Sequence, residues 1–422
     1  MMIRFIHAAD IHLDSPLRGL SRYEGAPEEE IRGATRRALE NLVSFAMESD
    51  VHFVLVSGDL YDGNWKDHNT GLFFSNQMSE LRRAEIKVFI VSGNHDAQSV
   101  ITKRLKLPEN VYQFSTRHPE TLYLDDIGAA IHGQGFPKKA VTDNISANYP
   151  AKIPDAFNIG MLHTSLTGRD GHDNYAPCTV DDLIRRGYDY WALGHVHARE
   201  RIQSDIPICF PGNIQGRHIR ETGAKGCLLV TVDDAGDVDV AFQELDVLRW
   251  SEASVDITNA RNRDDCLELF HQRLTTVLDD GSGRFIAMRA RFTGESAAYE
   301  TIASRPDSFI NSVRSVANDY GHDRVWVEKV ELAGNPPSSR FKDDFPEGPL
   351  GELVHVIDSY ETDDSALAEL GSELFPLIGK LPVELREGAD SLHLDEPGKL
   401  RAILKQVHPL LMARLRGVEG NS

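Results

Sequence analysis

The amino-acid sequence predicts an α/β fold, and three observations carry that prediction. Up to about residue 250, short apolar runs alternate with stretches that read as helices or irregular connections. Those runs are too uniformly apolar for a sheet with one wet face, so they read as strands buried on both sides and joined by βαβ crossovers. Between 251 and 333 the alternation returns in compact form, and beyond about 350 the apolar residues fall at helical spacing.

In chain order, MIRFIHA is followed by a helix near 28–48, then VHFVLVSGD, a helix near 68–84, and IKVFIVSGNHD. Shorter strand candidates come next, around 111–115, 120–124, 128–132, 157–163, 188–194, 206–211 and 226–232. Helices are scarce over that stretch, so a second, more antiparallel sheet is expected. The later module reads as strand, helix 261–279, strand RFIAMRARF, helix 306–319 and strand RVWVEKVEL. The segment 335–349, NPPSSRFKDDFPEGP, has the composition of a linker. Amphipathic helices follow over 350–379 and 397–416, marked by Leu353, Val356, Ile357, Leu400, Ile403, Leu404 and Val407. The expected organisation is a main domain over 1–250, a smaller α/β domain over 251–334, a linker over 335–349 and a helical region over 350–422.

With 422 residues, 41% hydrophobic and 26% charged, the chain can bury a large core in two or three domains. No apolar run approaches the roughly 18 residues of a membrane span, and the N-terminus reads as a strand rather than a signal peptide, so the expected compartment is the cytoplasm. Cys178, Cys209, Cys227 and Cys266 show no CxxC spacing and read as reduced thiols in packed regions. A net charge of −20 argues against a protein that grips nucleic acid unaided. A nucleic-acid substrate would require bound cations, a local basic patch or a basic partner.

Residues 7–20 read HAADIHLDSPLRGL, and in an extended segment Asp10, His12 and Asp14 would share one face. A metal uses such a row, and so does an ordinary turn. Four further stretches resemble it: SGDLYD (57–62), SGNHD (92–96), LHTS (162–165) and LGHVHA (193–198). Each ends an apolar run, at the carboxyl edge where ligands collect in open α/β sheets. Together they supply Asp10, His12, Asp59, Asn94, His95, His163, His195 and His197, a donor mixture that suits Mn²⁺, Fe or Zn²⁺ better than Mg²⁺ or Ca²⁺. The Gly before Asp59, Asn94 and His195 allows a sharp turn and a close backbone approach. Taken singly, each motif also fits a turn or a core histidine; the set of five points to a metal site.

The order DxH, GD, GNHD, H, GHxH resembles the calcineurin-like metallophosphoesterase superfamily over about residues 1–215. The resemblance implies a four-layer αββα sandwich with two metal ions, which activate a water and neutralise the phosphate it attacks. It also implies that Asp10, His12 and His197 hold one metal, that Asn94, His163 and His195 hold the other, and that Asp59 bridges them. His95 is then the general acid for the leaving oxygen with Asp96 as its orienting partner, the alternative being a further metal ligand.

The opening HAADIHLDSPLRGL, the later module and the terminal helices are similar to the SbcD-type DNA repair exonuclease family, particularly its YhaO-like branch. That resemblance implies a capping domain, Mn²⁺-dependent cleavage of DNA, helices that bind an SbcC-like coiled-coil ATPase, and a homodimer. No family ligand falls at Asp14, so Asp14-Ser15-Pro16 reads as turn and helix-entry chemistry. Arg18 is the named substrate contact, and Arg22, Lys103, Arg104, Lys106, Arg217 and Arg220 are further phosphate candidates or else solvated surface charge. Where some members carry a His three residues after the bridging Asp, this chain has Asp62, so any substrate-steering role of that His does not carry over. Two other functions compete: a phosphodiesterase or phosphatase for small nucleotides or phosphoproteins, and a mainly structural subunit of an ATPase complex.

Overall fold

The first unit of the chain, Met1–Ser251 with Arg284–Ala287, is built on two six-stranded sheets. The computed structural model describes residues 2–15, 27–62, 68–98, 107–167, 175–321, 324–336, 349–378, 380, 396–404, 407, 408 and 411. Along the chain, β1 (Ile3–Ala8), α1 (Glu28–Glu48), β2 (Phe53–Ser57), α2 (His68–Arg83), β3 (Lys87–Val91) and β4 (Val111–Gln113) come first. Then come β5 (Glu120–Leu124), β6 (Ala129–Gly133), β7 (Phe157–His163), α3 (Val180–Ile184), β8 (Tyr190–Gly194), β9 (Glu200–Ile202), β10 (Ile208–Phe210), β11 (Gly226–Val232) and β12 (Val238–Glu244).

One sheet runs β12-β11-β1-β2-β3-β4, with β1 to β4 parallel and β11 and β12 antiparallel. The other runs β5-β6-β7-β8-β10-β9. Alternating side chains make the layers. Ile6, Ala8, Val54, Val56, Val88 and Ile90 pack on Ala38, Leu39 and Leu42 of α1 and on Phe74, Met78 and Leu81 of α2. The intervening Phe5, Phe53, Leu55, Phe89 and Val91 face the second sheet, meeting Ile131, Ile159, Met161 and Tyr190. Leu162, Trp191, Leu193 and Phe210 on the far face are covered by Leu183 of α3 and by Phe136, Ile145 and Tyr149. This is the expected four-layer αββα sandwich, with strands apolar on both faces because both faces are covered.

The second sheet departs from expectation: β6, β7, β8 and β10 are parallel, and only the edge pairs β5-β6 and β9-β10 are antiparallel. The connections before β7 and β8 are largely irregular, so the crossovers lack the helical signature that marks βαβ units. All four cysteines are free and buried.

The second unit, Glu252–Gly283 and Met288–Ser422, contains most of a three-stranded sheet in the order β13 (Leu248–Asp256), β14 (Phe285–Thr293) and β15 (Val325–Leu332), with α4 (Arg263–Asp280), α5 (Tyr299–Ser304) and α6 (Pro306–Asn318) in the connections. A parallel bridge, Glu295–Asn335, extends it, and Asn262 caps α4 by accepting the Asp265 N–H at 3.0 Å. Phe292 packs on Phe270 and Phe309, at ring distances of 6.1 and 4.9 Å. The helices α7 (Pro349–Thr362) and α8 (Asp364–Ile378) pack on each other. Most of the linker lies outside the described residues; of the last expected helix, residues 397–404, 407, 408 and 411 are described, and they are helical.

Candidate metal centre

All five polar motifs emerge at the carboxyl ends of parallel strands, which gathers them at one edge of the first unit. Asp10 and His12 follow β1, Asp59 and Asp62 follow β2, Asn94 and His95 follow β3, His163 ends β7, and His195 and His197 follow β8. Asp10 and His12 are not one face of an extended strand, however. β1 stops at Ala8, and the backbone turns left-handed at Asp10 (φ 51°), His12 (φ 45°) and again at Asp59 (φ 52°) and His195 (φ 101°). Such conformations cost on the order of 1–3 kcal/mol each in non-glycine residues and persist only when their surroundings hold them. Here the Asp10 and His12 N–H groups donate to the carbonyls of Gly58 and Asp59, each at 3.0 Å.

The donor atoms of Asp10, His12 and His197 lie within 4.8 Å of one another, as do those of Asp59, His163 and His195. His163 Nδ1 stands 3.0 Å from the Ser57 carbonyl, an obligate acceptor, so that nitrogen carries the proton. Its Nε2 faces Asn94 Oδ1 at 2.9 Å and Asp59 Oδ2 at 3.4 Å. Three acceptors therefore converge on one point that calls for positive charge. Burial opposes a charged His163, yet the Asp59 carboxylate pushes it up to about 9. In turn His163 holds the buried Asp59 far below the ordinary carboxylate range, although burial works the other way.

The other cluster has the same character. His12 Nε2 and His197 Nε2 face each other at 3.2 Å, and His12 Nδ1 is buried without a hydrogen-bond partner among the described residues. Burial, and next the charge of Arg217, keep His12 well below the ordinary imidazole range. Asp10 is fully buried and pushed up by that burial, and it accepts the His195 N–H at 3.0 Å. Imidazole nitrogens aimed at each other and at carboxylates are the donor set of a cation pair, so the residues fit two divalent ions. Gly58 and Gly93 have the close approach expected of them: a Cβ would lie 2.2 Å from His163 Nδ1 in the first case and 2.2 Å from Asp59 Oδ1 in the second.

His95 lies at the rim, with 37% of its side chain exposed. Its backbone N–H donates to Asp59 Oδ1 at 2.9 Å, and its Nδ1 meets Asp62 Oδ1 at 2.7 Å. The carboxylate that orients His95 is thus Asp62, not Asp96. Asp96 is buried and accepts the backbone N–H groups of Tyr61 (2.9 Å), Gly93 (3.0 Å) and Leu60 (3.2 Å), which makes it the brace of the loop. Burial and the nearby Asp59 charge push it up to about 6. Although burial opposes it, the bond to Asp62 raises the proton affinity of His95 above that of a free imidazole.

Two residues outside the expected ligand set complete the site. His197 Nδ1 donates to Glu221 Oε1 at 2.7 Å, which points Nε2 at the cluster; Glu221 also accepts from Asn213 Nδ2 at 2.9 Å and from Arg217 N at 2.7 Å. Asp62 is the second, joined by Ser15 Oγ at 2.5 Å. No spacing rule finds Glu221, because it reaches the site on a loop beyond β10. Asp14 is elsewhere: its carboxylate takes Arg36 Nε of α1 at 2.7 Å and Thr70 Oγ1 of α2 at 2.6 Å, tying the two helices together. Of the phosphate candidates, Arg217 stands at the site and Arg220 is exposed, while Arg18, Arg22, Lys103, Arg104 and Lys106 lie outside the described residues.

Comparison with known proteins agrees with this geometry. Residues 3–199 match the family model of calcineurin-like phosphoesterases, and residues 250–334 match that of the middle domain of metallophosphoesterase YhaO. The chain is 35% identical over 316 residues to the uncharacterized metallophosphoesterase YhaO of Bacillus subtilis, which covers 74% of this chain and 77% of that one. It is 26% identical over 362 residues to the DNA double-strand break repair protein Mre11 of Methanopyrus kandleri, with coverage of 78% and 71%. The Mre11 protein of Sulfurisphaera tokodaii is 23% identical over 232 residues, covering 52% of this chain and 59% of its own.

Proposed function

The chain belongs to the YhaO family of calcineurin-like metallophosphoesterases, and on that premise we propose that it is a nuclease hydrolysing DNA phosphodiester bonds with two divalent cations, Mn²⁺ before Fe or Zn²⁺. The observation that carries the reading is the convergence of two His/Asp clusters beside a rim histidine held by its own carboxylate. Similarity to proteins named for DNA double-strand break repair supports DNA as the substrate.

In this reading Asp10, His12 and His197 would hold one cation and Asn94, His163 and His195 the other, with the Asp59 carboxylate available to both. When bound, the pair lowers the pKa of water and neutralises the phosphate charge. The protein's own groups do the rest. Ser57 and Glu221 fix the tautomers of His163 and His197, so that both rings present a lone pair inward. Asp62 takes Nδ1–H of His95 and leaves the Nε2 proton at the exposed rim, where it passes to the departing oxygen; a positioned acid of this kind contributes about 10²–10⁴-fold. With a net charge of −20, holding a polyanion calls for bound cations, a local basic patch or a basic partner. The proposed partner is an SbcC-like coiled-coil ATPase docked on the C-terminal helices, in a cytoplasmic complex that contains two copies of this chain. Among the described residues no helix is long and apolar enough to cross a membrane.

The test is release of nucleotides from single- and double-stranded DNA with Mn²⁺, alone and with the ATPase, for the wild type and His95→Ala. Expected is metal-dependent cleavage that drops by about 10²–10⁴ in the variant, and by less on bis-p-nitrophenyl phosphate, whose leaving group needs little protonation. A wild type that binds two metals and turns over bis-p-nitrophenyl phosphate but no DNA would refute the nuclease assignment.

A further inference from the structure

We propose that Arg217 is a substrate-contacting residue that grips a nonbridging phosphate oxygen beside the two clusters. The inference rests on the phosphodiesterase reading above and deepens it.

The Arg217 side chain is 13% exposed, a largely buried position for a cation, and it stands among three functional groups. Its Nη2 lies 3.1 Å from Glu221 Oε1 and 3.3 Å from His197 Nδ1, and its Nη1 lies 3.9 Å from Asp62 Oδ2. The simplest rival role is to hold Glu221. That carboxylate, however, keeps His197 Nδ1, Asn213 Nδ2 and the Arg217 backbone N–H, all within 2.9 Å, when the guanidinium is removed. Because the His197 Nδ1 proton goes to Glu221, the 3.3 Å contact with Nη2 is no hydrogen bond. At 3.9 Å the pair with Asp62 is longer than a hydrogen bond. The Nε–H is buried and has no partner among the described residues.

Arg217 is therefore a rigid fork with one donor engaged and others uncommitted, and a buried unsatisfied donor costs about 1–3 kcal/mol. A second cation stands close by: Lys225, 9% exposed, donates to the His197 carbonyl at 3.2 Å. In a chain of net charge −20, a buried cation placed against this cluster fits an anion that arrives from solution. The two nonbridging oxygens of a phosphodiester can accept two parallel N–H bonds from one guanidinium, and a lysine at this position would not reproduce the fork.

The experiment compares wild type, Arg217→Ala and Arg217→Lys in the full chain, using bis-p-nitrophenyl phosphate as substrate and inorganic phosphate as the binding probe. Mn²⁺ affinity by calorimetry is expected to stay within about twofold, because the guanidinium supplies no ligand atom. Catalytic efficiency should fall by about 10²–10³ in Arg217→Ala, the effect of removing one donor from developing negative charge, and by less in Arg217→Lys. Phosphate should bind the Mn²⁺-loaded Arg217→Ala protein at least about tenfold more weakly, and added guanidinium should restore part of the lost rate. Unchanged phosphate affinity, or a variant that loses Mn²⁺ as well, would overturn the proposal; the second result assigns the side chain to bracing Glu221. If Arg217→Ala does not fold, Arg217→Lys gives the same two readings. A wild type that turns over no phosphodiester, yet loses phosphate binding on substitution, would refute the function and leave the contact standing.

Discussion

Replacing Glu221 by Gln removes one charge from a side chain that is 5% exposed and touches no expected substrate. Both carboxylate oxygens are committed: Oε1 accepts from His197 Nδ1, and Oε2 accepts from Asn213 Nδ2 and Arg217 N. A carboxamide can keep only one of these faces. If its oxygen stays with His197, its NH₂ is aimed at two donors; if it flips, His197 loses the acceptor that fixes its tautomer. Loss of such an outer partner lowers metal affinity by about 10–100-fold, equivalent to about 1.4–2.8 kcal/mol. The forced donor–donor contact argues for the upper end and adds a fold-stability cost of about 1–3 kcal/mol. Calorimetric titration with Mn²⁺ should show a dissociation constant raised roughly 100-fold for the ion that His197 holds, with the other ion much less affected. A folded Glu221→Gln protein with Mn²⁺ affinity within about twofold of wild type would refute the claim that Glu221 sets the His197 lone pair.

Two further predictions concern protons. Asp62 raises the proton affinity of His95, so Asp62→Asn should move the alkaline limb of the pH–rate profile to lower pH; an unmoved limb would mean that Asp62 does not orient the acid. His7 is wholly buried between Tyr190 Oη and the Leu193 carbonyl, each at 3.0 Å, and burial holds its pKa down at about 3 against 6.5 for a free imidazole. Below 6.5 the unfolded chain takes a proton at His7 that the native state refuses, so native stability falls as pH drops from 6.5 toward 3. At about 1.36 kcal/mol per pH unit, moving from about pH 7 to about pH 5 costs about 2 kcal/mol through this residue. Urea unfolding of His7→Gln at the two pH values should lack that loss, and an identical pH dependence in both proteins would exclude His7 as its source.

Much of this molecule is legible in one dimension because its signals are local. Apolar runs buried on both faces mark β1, β2, β3, β7 and β8, and helix α1 occupies the expected 28–48 span because its apolar spacing faces a sheet. The candidate ligands are legible for the same reason: each lies at or just past the end of its strand, and a parallel strand carries those residues to the carboxyl edge. By contrast β12, an edge strand with alternating half-exposed residues, has no continuous apolar run to announce it.

What the sequence determined by itself was the inventory of the site: which acids and imidazoles reach that edge, and with which glycines behind them. What only the tertiary structure decided was who meets whom. Asp96 is the sequence neighbour of His95, yet a one-residue step turns its carboxylate into the loop, while Asp62 arrives from another strand to take the imidazole. Glu221 reaches His197 from 24 residues away, and Asp14, two residues from His12, leaves the site for Arg36 and Thr70. Side-chain direction at a left-handed turn is set by the backbone hydrogen bonds that hold the turn, and those come from strands far away in sequence.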